Sequence, residues 1–359
     1  MLQSMFKVDL FKARENCSSM PKIEFQDDYK STNQKLEEKG RVCVTGAGGY
    51  LASWVVKLLL SKGYKVHGTV RDPDDIKNMH LKKLENASEG LQLFKADLLD
   101  TVSLSDAISG CAGVFHVASP VPPSLIVENY EVELMQPAVI GTLNVLDACL
   151  KSKIKKIVVV SSLGAIFLNP NWPRDRVMDE ECWSDLEFCK ATKNWYCMSK
   201  TLAESEAWEY ARTSKLNIVT ICPSIVLGPM LQPTLNTSSL YLLKFLKDGM
   251  EAADSGFRHF VDVRDTAEAV LIIYEKAEAE GRYVCSSHGI KTQDLVLKLK
   301  SMYPYCNYPK SFREEVPEVK LSSEKLQKLG WSYWPLEETL VDSIKNYEEI
   351  GASTLKYKN

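Results

Sequence analysis

Short apolar runs alternate with longer amphipathic segments over the first two thirds of the chain. The apolar runs predict six strands, at residues 41–45, 65–70, 91–98, 113–118, 155–162 and 217–222. Helical spacing of apolar positions predicts helices after residue 50 and at 102–108, 128–150 and 191–212. Very apolar runs, such as residues 157–160, are typical of parallel strands buried on both faces. The alternation predicts an α/β protein built on a Rossmann doubly wound parallel sheet.

The pattern changes at Pro223, where Pro and Gly punctuate the chain and the alternation stops. We expect a Rossmann domain at 41–223 and a smaller C-terminal substrate lobe at 224–259 and 286–359, with 260–285 returning to the Rossmann domain. Asp265 is expected to cap the returning helix, with Glu268 completing a capping box. Residues 1–40 are polar with mixed charge and little apolar periodicity, which predicts a disordered leader.

Composition narrows the possible partners. The 359 residues carry a formal net charge of −3, which gives no electrostatic reason to expect nucleic acid or an anionic membrane as partner. No apolar run is long enough to span a membrane. The ten cysteines lack metal-ligand spacing, so no metal is predicted, and without a signal-peptide pattern they indicate reduced thiols in a cytoplasmic protein. We therefore expect a small-molecule substrate, and the sequence leaves the oligomeric state open.

A glycine-rich turn follows the first predicted strand. Gly46 permits a tight turn, Gly49 lets the backbone approach a pyrophosphate, and the small Ala52 lets the next helix pack against the strand. The N-terminus of that helix would then face the phosphates of a dinucleotide. The second strand ends in Arg71, which suits the 2′-phosphate of NADP, and Lys77 offers a second phosphate contact. The predicted cofactor is therefore NADP(H).

Tyr196 and Lys200 are four residues apart in a predicted helix. This spacing places both side chains on one helix face, where the ammonium is expected to lower the pKa of the phenol. A tyrosine with a lowered pKa can pass a proton near neutral pH. Of the fifteen tyrosines, only Tyr196 has a lysine at this offset. Together with the glycine-rich turn, the pair predicts an NADP-dependent oxidoreductase.

Several motifs together resemble one group of enzymes. Besides the glycine-rich turn and the Tyr/Lys pair, the motifs lie at residues 68–73, 114–120, 179–185 and 280–283. They resemble the extended short-chain dehydrogenase/reductases, and within them the plant cinnamoyl-CoA reductase and dihydroflavonol 4-reductase group. The resemblance extends over about residues 41–350.

This resemblance implies a catalytic role for three residues. The Ser162 hydroxyl would polarise the substrate carbonyl, Tyr196 would donate the proton, and Lys200 would hold the nicotinamide ribose. Ser161 is the alternative to Ser162, because side chains alternate along a strand and only one of the two can face the cofactor. The family pattern favours Ser162.

The resemblance also implies a cofactor-binding set. Asp97 and Leu98 would flank the adenine, and Pro223 would contact the nicotinamide. The complete predicted set is Gly46, Gly49, Tyr50, Leu51, Arg71, Lys77, Asp97, Leu98, Val117, Ala118, Ser119, Tyr196, Lys200 and Pro223.

The identity of the substrate has to be inferred from positions that are less informative than the cofactor and catalytic motifs. Met198 and Ser199 stand where cinnamoyl-CoA reductases usually have Tyr and Gly, whereas residues 168–171 and 231–233 resemble the CoA enzymes. We predict reduction of a phenylpropanoid-type aldehyde or ketone, with hydroxycinnamoyl-CoA thioesters as the alternative substrates. Met198 either packs in the core or lines the substrate site. A non-catalytic NADP-binding sensor is the alternative outside enzymes, and the intact catalytic set argues against it.

Two further groups of residues bear on the site. Lys244, Lys247 and Arg258 are expected to be solvated charges rather than a binding channel for CoA phosphates. Cys189 and Cys197 are eight residues apart and flank the approach to the predicted catalytic tyrosine. They form either a redox-sensitive pair or two buried thiols, and a reducing compartment favours the buried thiols.

Overall fold

The computed structural model describes residues 39–121, 129–173, 175–315 and 318–351. Its strands are β1 (Arg41–Val44), β2 (Lys65–Val70), β3 (Leu91–Lys95), β4 (Gly113–His116), β5 (Lys156–Val160), β6 (Ile218–Pro223), β7 (Ile225–Leu227), β8 (Ala252–Ser255), β9 (Phe257–Asp262), β10 (Gly281–Cys285), β11 (His288–Lys291) and β12 (Ser311–Glu315). The predicted leader, residues 1–40, lies outside the described residues except for its last two positions.

The α-helices are α1 (Tyr50–Ser61), α2 (Met79–Lys82), α3 (Ala87–Gly90), α4 (Thr101–Ile108), α5 (Gly141–Lys151), α6 (Leu186–Ala191), α7 (Trp195–Ser214), α8 (Thr237–Lys247), α9 (Val263–Glu275), α10 (Thr292–Met302), α11 (Glu324–Gln327) and α12 (Leu336–Glu349). Short 3₁₀ turns lie at Ile76–Asn78 and Leu163–Ala165, and a π-helical segment, Glu131–Ile140, runs directly into α5. Pro137 lies inside that segment.

Seven strands form one parallel sheet in the order β10-β6-β5-β4-β1-β2-β3. The chain moves outward in opposite directions from β1 and β4, so the sheet is doubly wound and its strand order reverses between these two strands. This confirms the predicted fold class. Ligands of such sheets bind outside the carboxyl ends of the strands at the reversal point. The glycine-rich turn follows β1 at that point.

Helices cover both faces of this sheet, which explains why a central strand such as β5 is an almost continuous buried apolar run. Successive residues of β4 point to opposite faces. Phe115 packs with side chains of α1 and α9, whereas Val114 packs with side chains of α4 and α5. Burying an apolar side chain of this kind contributes about 1.5 to 3 kcal/mol. The sheet is thus a densely packed support for the loops that follow its strands.

Smaller sheets follow β6. Strands β7, β9 and β11 form a three-stranded sheet, and β8 pairs with β12. Side chains of α8, α10 and α12 pack with β9 around Phe245, Phe260, Leu299 and Leu340. Helix α9 packs on α1, and β10 pairs with β6 at the edge of the large sheet. The division into a Rossmann domain and a substrate lobe at the predicted boundaries stays a prediction.

Several elements end at positions that differ from the predicted ones. The strands predicted at 91–98, 113–118 and 155–162 end at residues 95, 116 and 160, because the following residues leave the sheet as loops at its carboxyl edge. The helix predicted at 191–212 spans Trp195–Ser214. It begins late because Lys193 is left-handed, with φ of 54°, and Asn194 forms the helix cap.

The prediction that Asp265 caps α9 in a capping box with Glu268 is wrong. Asp262 is the cap, and its carboxylate accepts the Arg264 N–H at 2.8 Å. Asp265 lies buried in the first turn of the helix, where it accepts the Trp334 N–H at 2.9 Å. Burial raises the pKa of the Asp265 carboxyl to about 7, and the negative charges of Asp262 and Glu268 act in the same direction.

Asp265→Asn is expected to change how stability depends on pH. A carboxyl whose pKa is raised in the folded state stabilises the fold below its ordinary pKa of 3.8, and this contribution is lost as pH rises through about 7. Between pH 5 and pH 8, the wild type should therefore lose about 2 kcal/mol of unfolding free energy relative to the variant. Urea unfolding at both pH values measures this difference. Parallel pH dependence in the two proteins would contradict the raised pKa.

Candidate active site

The glycine-rich turn joins β1 to α1 at the carboxyl edge of the sheet. Gly46 has φ of +65°, and a Cβ at this position would lie 2.9 Å from the Cβ of Ala118. The Gly49 N–H donates to the Gly46 carbonyl at 2.9 Å, directly before the first residue of α1. Ala52 is buried where the helix meets the sheet. The turn therefore has the close backbone packing that a dinucleotide-binding loop requires.

The first turns of α1 also contact the segment after β7. The Tyr50 hydroxyl donates to the Gly228 carbonyl at 2.9 Å, and the Trp54 indole donates to the Pro229 carbonyl at 2.8 Å. Leu51 packs against the buried core. Because these side chains are engaged elsewhere, the cofactor contacts predicted for Tyr50 and Leu51 would have to come from their backbone groups at the helix N-terminus.

Arg71 and Lys77 lie in the segment after β2, and both are exposed. Neither forms an ion pair with another described residue. His80 anchors this segment, with Nε2 2.8 Å from the Ser53 hydroxyl and Nδ1 2.8 Å from the Lys77 carbonyl. The Ser53 hydroxyl oxygen also lies 2.7 Å from the Gly49 carbonyl oxygen, within the glycine-rich turn. His80 is absent from the predicted set, because nothing in its local sequence distinguishes it.

Asp97 and Leu98 follow β3 at the same edge of the sheet. The exposed Asp97 carboxylate accepts the Leu99 N–H at 2.9 Å. Leu98 packs on Gly141, where a Cβ would come within 2.8 Å of its side chain. Its carbonyl accepts the Asn144 side-chain amide at 2.9 Å. Contacts with α5 therefore fix Leu98, and Asp97 lies at the edge of the sheet beside it.

Thr45 holds the backbone of Val117 and Ala118. Both N–H groups donate to the Thr45 hydroxyl, at 3.1 and 3.0 Å, which leaves its single proton for His116 Nδ1 at 2.9 Å. His116 Nε2 then carries the ring proton and donates to the Thr142 hydroxyl at 3.1 Å. Burial, aided by the charge of a nearby lysine, lowers the pKa of His116 to about 3. A neutral histidine of fixed tautomer thus supports the segment predicted to line the cofactor.

Two serines follow β5, and their side chains have different partners. The Ser161 hydroxyl donates to the buried Glu204 carboxylate at 2.7 Å. Ser162 accepts the Gly164 N–H at 3.0 Å and forms a side-chain hydrogen bond with Tyr196. Of the two serines, it is therefore Ser162 that the structure brings to Tyr196.

Tyr196 and Lys200 lie one helical turn apart at the start of α7. Asn194 caps this helix by accepting the Cys197 N–H at 3.3 Å. Burial raises the pKa of Tyr196 to about 12, against a smaller lowering by the hydrogen bond with Ser162. Burial likewise lowers the pKa of Lys200 to about 8. The expected lowering of the phenol pKa by the ammonium is not found: burial raises the pKa of Tyr196, and the opposing contribution comes from Ser162.

Cys189 and Cys197 are both buried and carry free thiols. Burial raises the pKa of Cys197 to about 12 and also raises the pKa of Cys189. Both thiols therefore stay protonated near neutral pH, whereas reactive cysteines need the thiolate. The structure thus favours two inert buried thiols over a redox-sensitive pair.

Pro223 is the buried last residue of β6. The next residue, Ser224, donates its N–H to the Cys285 carbonyl at 3.0 Å. Its buried hydroxyl has no hydrogen-bond partner among the described residues. Leaving such a group unpaired costs about 1 to 3 kcal/mol, so the hydroxyl indicates a ligand or water at this position. Ser224 is absent from the predicted set, and its place beside Pro223 was the only available signal.

Neither a metal site nor a membrane helix is found in the described ranges. Within them, no group of three or more His, Cys, Asp or Glu side chains could hold a metal ion. None of the helices in the described part of the chain is long and apolar enough to cross a bilayer. The absence of a metal and the cytoplasmic location stay predictions.

Comparison with known proteins agrees with this geometry. The NAD dependent epimerase/dehydratase family matches residues 42–286. Cinnamoyl-CoA reductase 2 of Medicago truncatula is 43% identical over 327 residues, which cover 90% of this chain and 96% of the relative. The crystal structure of vestitone reductase from alfalfa (Medicago sativa L.) has a TM-score of 0.75 at 32% identity, and the match covers 87% of this chain and 99% of that one.

A third match includes a bound cofactor. The crystal structure of yeast methylglyoxal/isovaleraldehyde reductase complexed with NADPH has a TM-score of 0.75 at 26% identity, and covers 87% of this chain and 99% of that one. These matches confirm the resemblance to the cinnamoyl-CoA reductase and dihydroflavonol 4-reductase group, and they show that the protein is an NAD(P)-dependent oxidoreductase. The chain belongs to the NAD dependent epimerase/dehydratase family.

Proposed function

We propose that this protein uses NADPH to reduce the carbonyl group of a phenylpropanoid-type aldehyde or ketone. The observation that carries the proposal is the hydrogen-bonded pair of Ser162 and Tyr196, one helical turn from the buried Lys200. This set follows β5 at the carboxyl edge of the sheet, the same edge at which the glycine-rich turn follows β1. A proton donor and an oxyanion stabiliser at a dinucleotide-binding edge are what carbonyl reduction requires.

Three features of the site fit NADP(H). Gly46 packs on Ala118 too closely for any side chain, so its backbone can form a tight dinucleotide turn. The unpartnered Ser224 hydroxyl lies beside Pro223, where the resemblance places the nicotinamide. The exposed Arg71 guanidinium has no ion-pair partner in the described part of the chain, which leaves it available to a 2′-phosphate. When bound, this cofactor supplies the hydride.

The remaining predicted contacts are assigned to the two ends of the cofactor. Asp97 and Leu98 would contact the adenine side, where Leu98 is fixed by its packing on α5. The segment 117–119 would line the nicotinamide side, where the Thr45 hydroxyl holds two of its N–H groups. Lys77 would join the phosphate contacts from the segment after β2. Each assignment uses a residue at the carboxyl edge of the sheet, where ligands of doubly wound folds bind.

Tyr196 is assigned the role of proton donor. With a pKa of about 12, the phenol keeps its proton at neutral pH and can transfer it to an oxyanion that forms within hydrogen-bond distance. The Ser162 hydroxyl, already hydrogen-bonded to Tyr196, can donate to the same oxygen and stabilise its developing charge. The Lys200 ammonium lies one helical turn away on the same helix face, and it is assigned to the nicotinamide ribose.

The substrate assignment depends on the two residues before Lys200. Ser199 is buried and its hydroxyl donates to the Tyr196 carbonyl at 2.8 Å, so this side chain packs within the helix. Met198 is only half-buried. A substitution at position 199 would therefore change the packing within the helix. A substitution at position 198 would change more of the surface that the helix exposes.

The charged residues of the substrate lobe have internal partners. Arg258 forms an ion pair with Asp254 at 2.6 Å and donates to the Tyr241 hydroxyl at 3.2 Å. The Lys244 ammonium lies 4.1 Å from the centre of the Tyr241 ring. The prediction that Lys244 and Arg258 are solvated charges is therefore wrong, since both are half-buried in one cluster. These contacts compete with any CoA phosphate, which supports a substrate without CoA.

Cinnamoyl-CoA reduction is the second candidate function. The observation that favours it is the 43% identity to cinnamoyl-CoA reductase 2 of Medicago truncatula over nearly the whole chain. A panel containing coniferaldehyde, a dihydroflavonol and feruloyl-CoA separates the candidates when NADPH oxidation is followed with each. We expect the highest kcat/KM for a free aldehyde or ketone. If no compound is turned over although NADPH binds tightly, the proposed function is wrong.

Met198→Tyr/Ser199→Gly is expected to shift substrate choice toward the thioester. The ratio of kcat/KM for feruloyl-CoA to that for coniferaldehyde should rise by about tenfold, because one pocket contact contributes about 1 to 3 kcal/mol to discrimination. Each single variant, assayed in parallel, shows which position carries the effect, and Met198→Tyr should carry most of it. An unchanged ratio, or a wild type that already prefers feruloyl-CoA, would overturn this assignment of the two positions.

A further inference from the structure

Glu204 is a buried carboxylate one helical turn after Lys200. Its Oε1 accepts the Thr220 hydroxyl at 2.7 Å and Arg282 Nε at 2.8 Å. Its Oε2 accepts the Ser161 hydroxyl at 2.7 Å and Arg282 Nη2 at 3.2 Å. Glu204 is 1% exposed, and its two oxygens also lie 3.7 and 3.5 Å from the Cys222 thiol, so donors from β6, β10 and the end of β5 hold both of them. These donors therefore fix the carboxylate in position.

The Arg282 side chain, which pairs with Glu204, is itself fixed by several further contacts. Its Nη1 donates to the carbonyls of Glu180 and Cys182, at 2.9 and 2.7 Å. Its guanidinium also lies 3.6 Å from the centre of the Trp183 ring. Because desolvation offsets most of the attraction in a buried ion pair, such a pair contributes little net stability compared with apolar packing. Stability alone therefore does not explain an ion pair at this position.

Lys200 has few partners of its own. It is 6% exposed, and its Nζ donates to the Val160 carbonyl at 3.3 Å. Burial lowers its pKa, whereas Cys222 and then Glu204 act in the opposite direction. The charged and titratable groups around Lys200 are Glu204 and Tyr196 on α7, Cys222 on β6, His116 on β4 and, behind Glu204, Arg282 on β10.

Only one of these surrounding groups carries a negative charge near neutral pH. The His116 ring is neutral, because burial lowers its pKa to about 3. The Cys222 thiol keeps its proton, because burial raises its pKa. Tyr196 is protonated for the same reason. Among these groups, Glu204 is therefore the one whose negative charge can stabilise the buried positive charge of Lys200.

We propose that Glu204 is a positioning residue that acts through Lys200, because its clamped carboxylate lies one helical turn away and keeps the buried lysine ammonium charged. Arg282 takes part by holding the carboxylate rather than by touching cofactor or substrate. The inference rests on the proposed function, in which Lys200 binds the nicotinamide ribose.

Glu204→Gln tests this inference, since the amide keeps the size of the side chain but removes its charge. Loss of the nearby negative charge should lower the pKa of Lys200. In the wild type, kcat/KM should fall as pH rises past about 8, where Lys200 loses its proton. In the variant, this decline should begin about one pH unit lower. NADPH affinity, measured by fluorescence titration, should drop about tenfold at pH 8.5 and change little at pH 6.5.

A matched control comes from another arginine ion pair. Asp342→Asn removes the carboxylate that pairs with Arg264 at 2.7 Å, far along the chain from the site. This control should leave the pH of the decline at its wild-type value. If Glu204→Gln does not fold, Glu204→Gln/Arg282→Met also removes the unpaired guanidinium, and a downward shift is again expected.

Two outcomes overturn the inference: a folded Glu204→Gln protein whose pH profiles match the wild type, or an equal shift in Asp342→Asn. Failure of the proposed function has a different signature. In that case the wild type binds NADPH but reduces no carbonyl compound, and the pH dependence of NADPH affinity still reports the effect of Glu204.

Discussion

Tyr196→Phe is expected to lower kcat/KM for the best carbonyl substrate by about 10³-fold, within the usual range for loss of a general acid. The phenyl ring fills the space of the phenol, so NADPH affinity should stay within about threefold of the wild type. The loss follows from the pKa of about 12, which makes Tyr196 a group that holds its proton until an oxyanion forms beside it. Steady-state NADPH oxidation and fluorescence titration measure the two quantities.

A second tyrosine of the same helix provides the control. Tyr210 donates its hydroxyl to Asp147 at 2.6 Å, away from Ser162 and Lys200. Tyr210→Phe therefore removes a phenol hydroxyl from α7 without touching the site, and its kcat/KM should stay near the wild-type value. Near-normal turnover in Tyr196→Phe, or equal losses in both variants, would show that Tyr196 is not the proton donor.

Arg71→Glu is expected to weaken NADPH binding by about 100-fold while changing NADH binding by less than about threefold. A charge-assisted contact between a guanidinium and a phosphate contributes about 1.5 to 3 kcal/mol, and the introduced carboxylate would also repel the 2′-phosphate. NADH lacks this phosphate, so its affinity should be nearly independent of residue 71. Titration of both cofactors against wild type and variant gives the ratio of dissociation constants.

Arg212→Glu is a suitable comparison for this cofactor test. Arg212 is also exposed, but it pairs with Glu209 in the last turns of α7, away from the segment after β2. This variant should bind both cofactors like the wild type. Equal losses of NADPH and NADH affinity in Arg71→Glu would contradict a role in 2′-phosphate recognition.

The sequence was sufficient for the framework because its signals are local. Apolar runs identified six strands of the large sheet, and the seventh, β10, falls in the segment expected to return to it. The glycine-rich turn and the spacing of Tyr196 and Lys200 pointed to chemistry at one edge of that sheet. These patterns are readable because strand periodicity, tight turns and helix faces each depend on a few neighbouring residues.

Other features depend on contacts that no local pattern contains. Glu204 and Arg282 meet across 78 positions of sequence, and only the order of β5, β6 and β10 brings them together. The pKa of Tyr196 depends on burial, which a four-residue spacing does not reveal. The predicted start of α7, at residue 191, is too early, because the local sequence does not show that Lys193 has a left-handed backbone.

The choice between Ser161 and Ser162 draws on both strand periodicity and the contacts of the two side chains. Strand alternation alone predicts that only one of the two serines faces the cofactor side, but it does not identify which one. The structure separates them by their partners, since Ser161 donates to Glu204 and Ser162 is hydrogen-bonded to Tyr196. The partners of the two hydroxyls therefore point to Ser162, the serine that the family pattern also favours.

The central claim is that this site transfers hydride from NADPH to a carbonyl carbon. The most direct test incubates the purified protein with coniferaldehyde and NADPH deuterated at the transferring position of the nicotinamide, and analyses the products by mass spectrometry. We expect an alcohol that carries one deuterium on the former carbonyl carbon, formed by the wild type and by Tyr210→Phe but barely by Tyr196→Phe. NADPH binding without deuterium transfer to coniferaldehyde, to a dihydroflavonol or to feruloyl-CoA would contradict the claim.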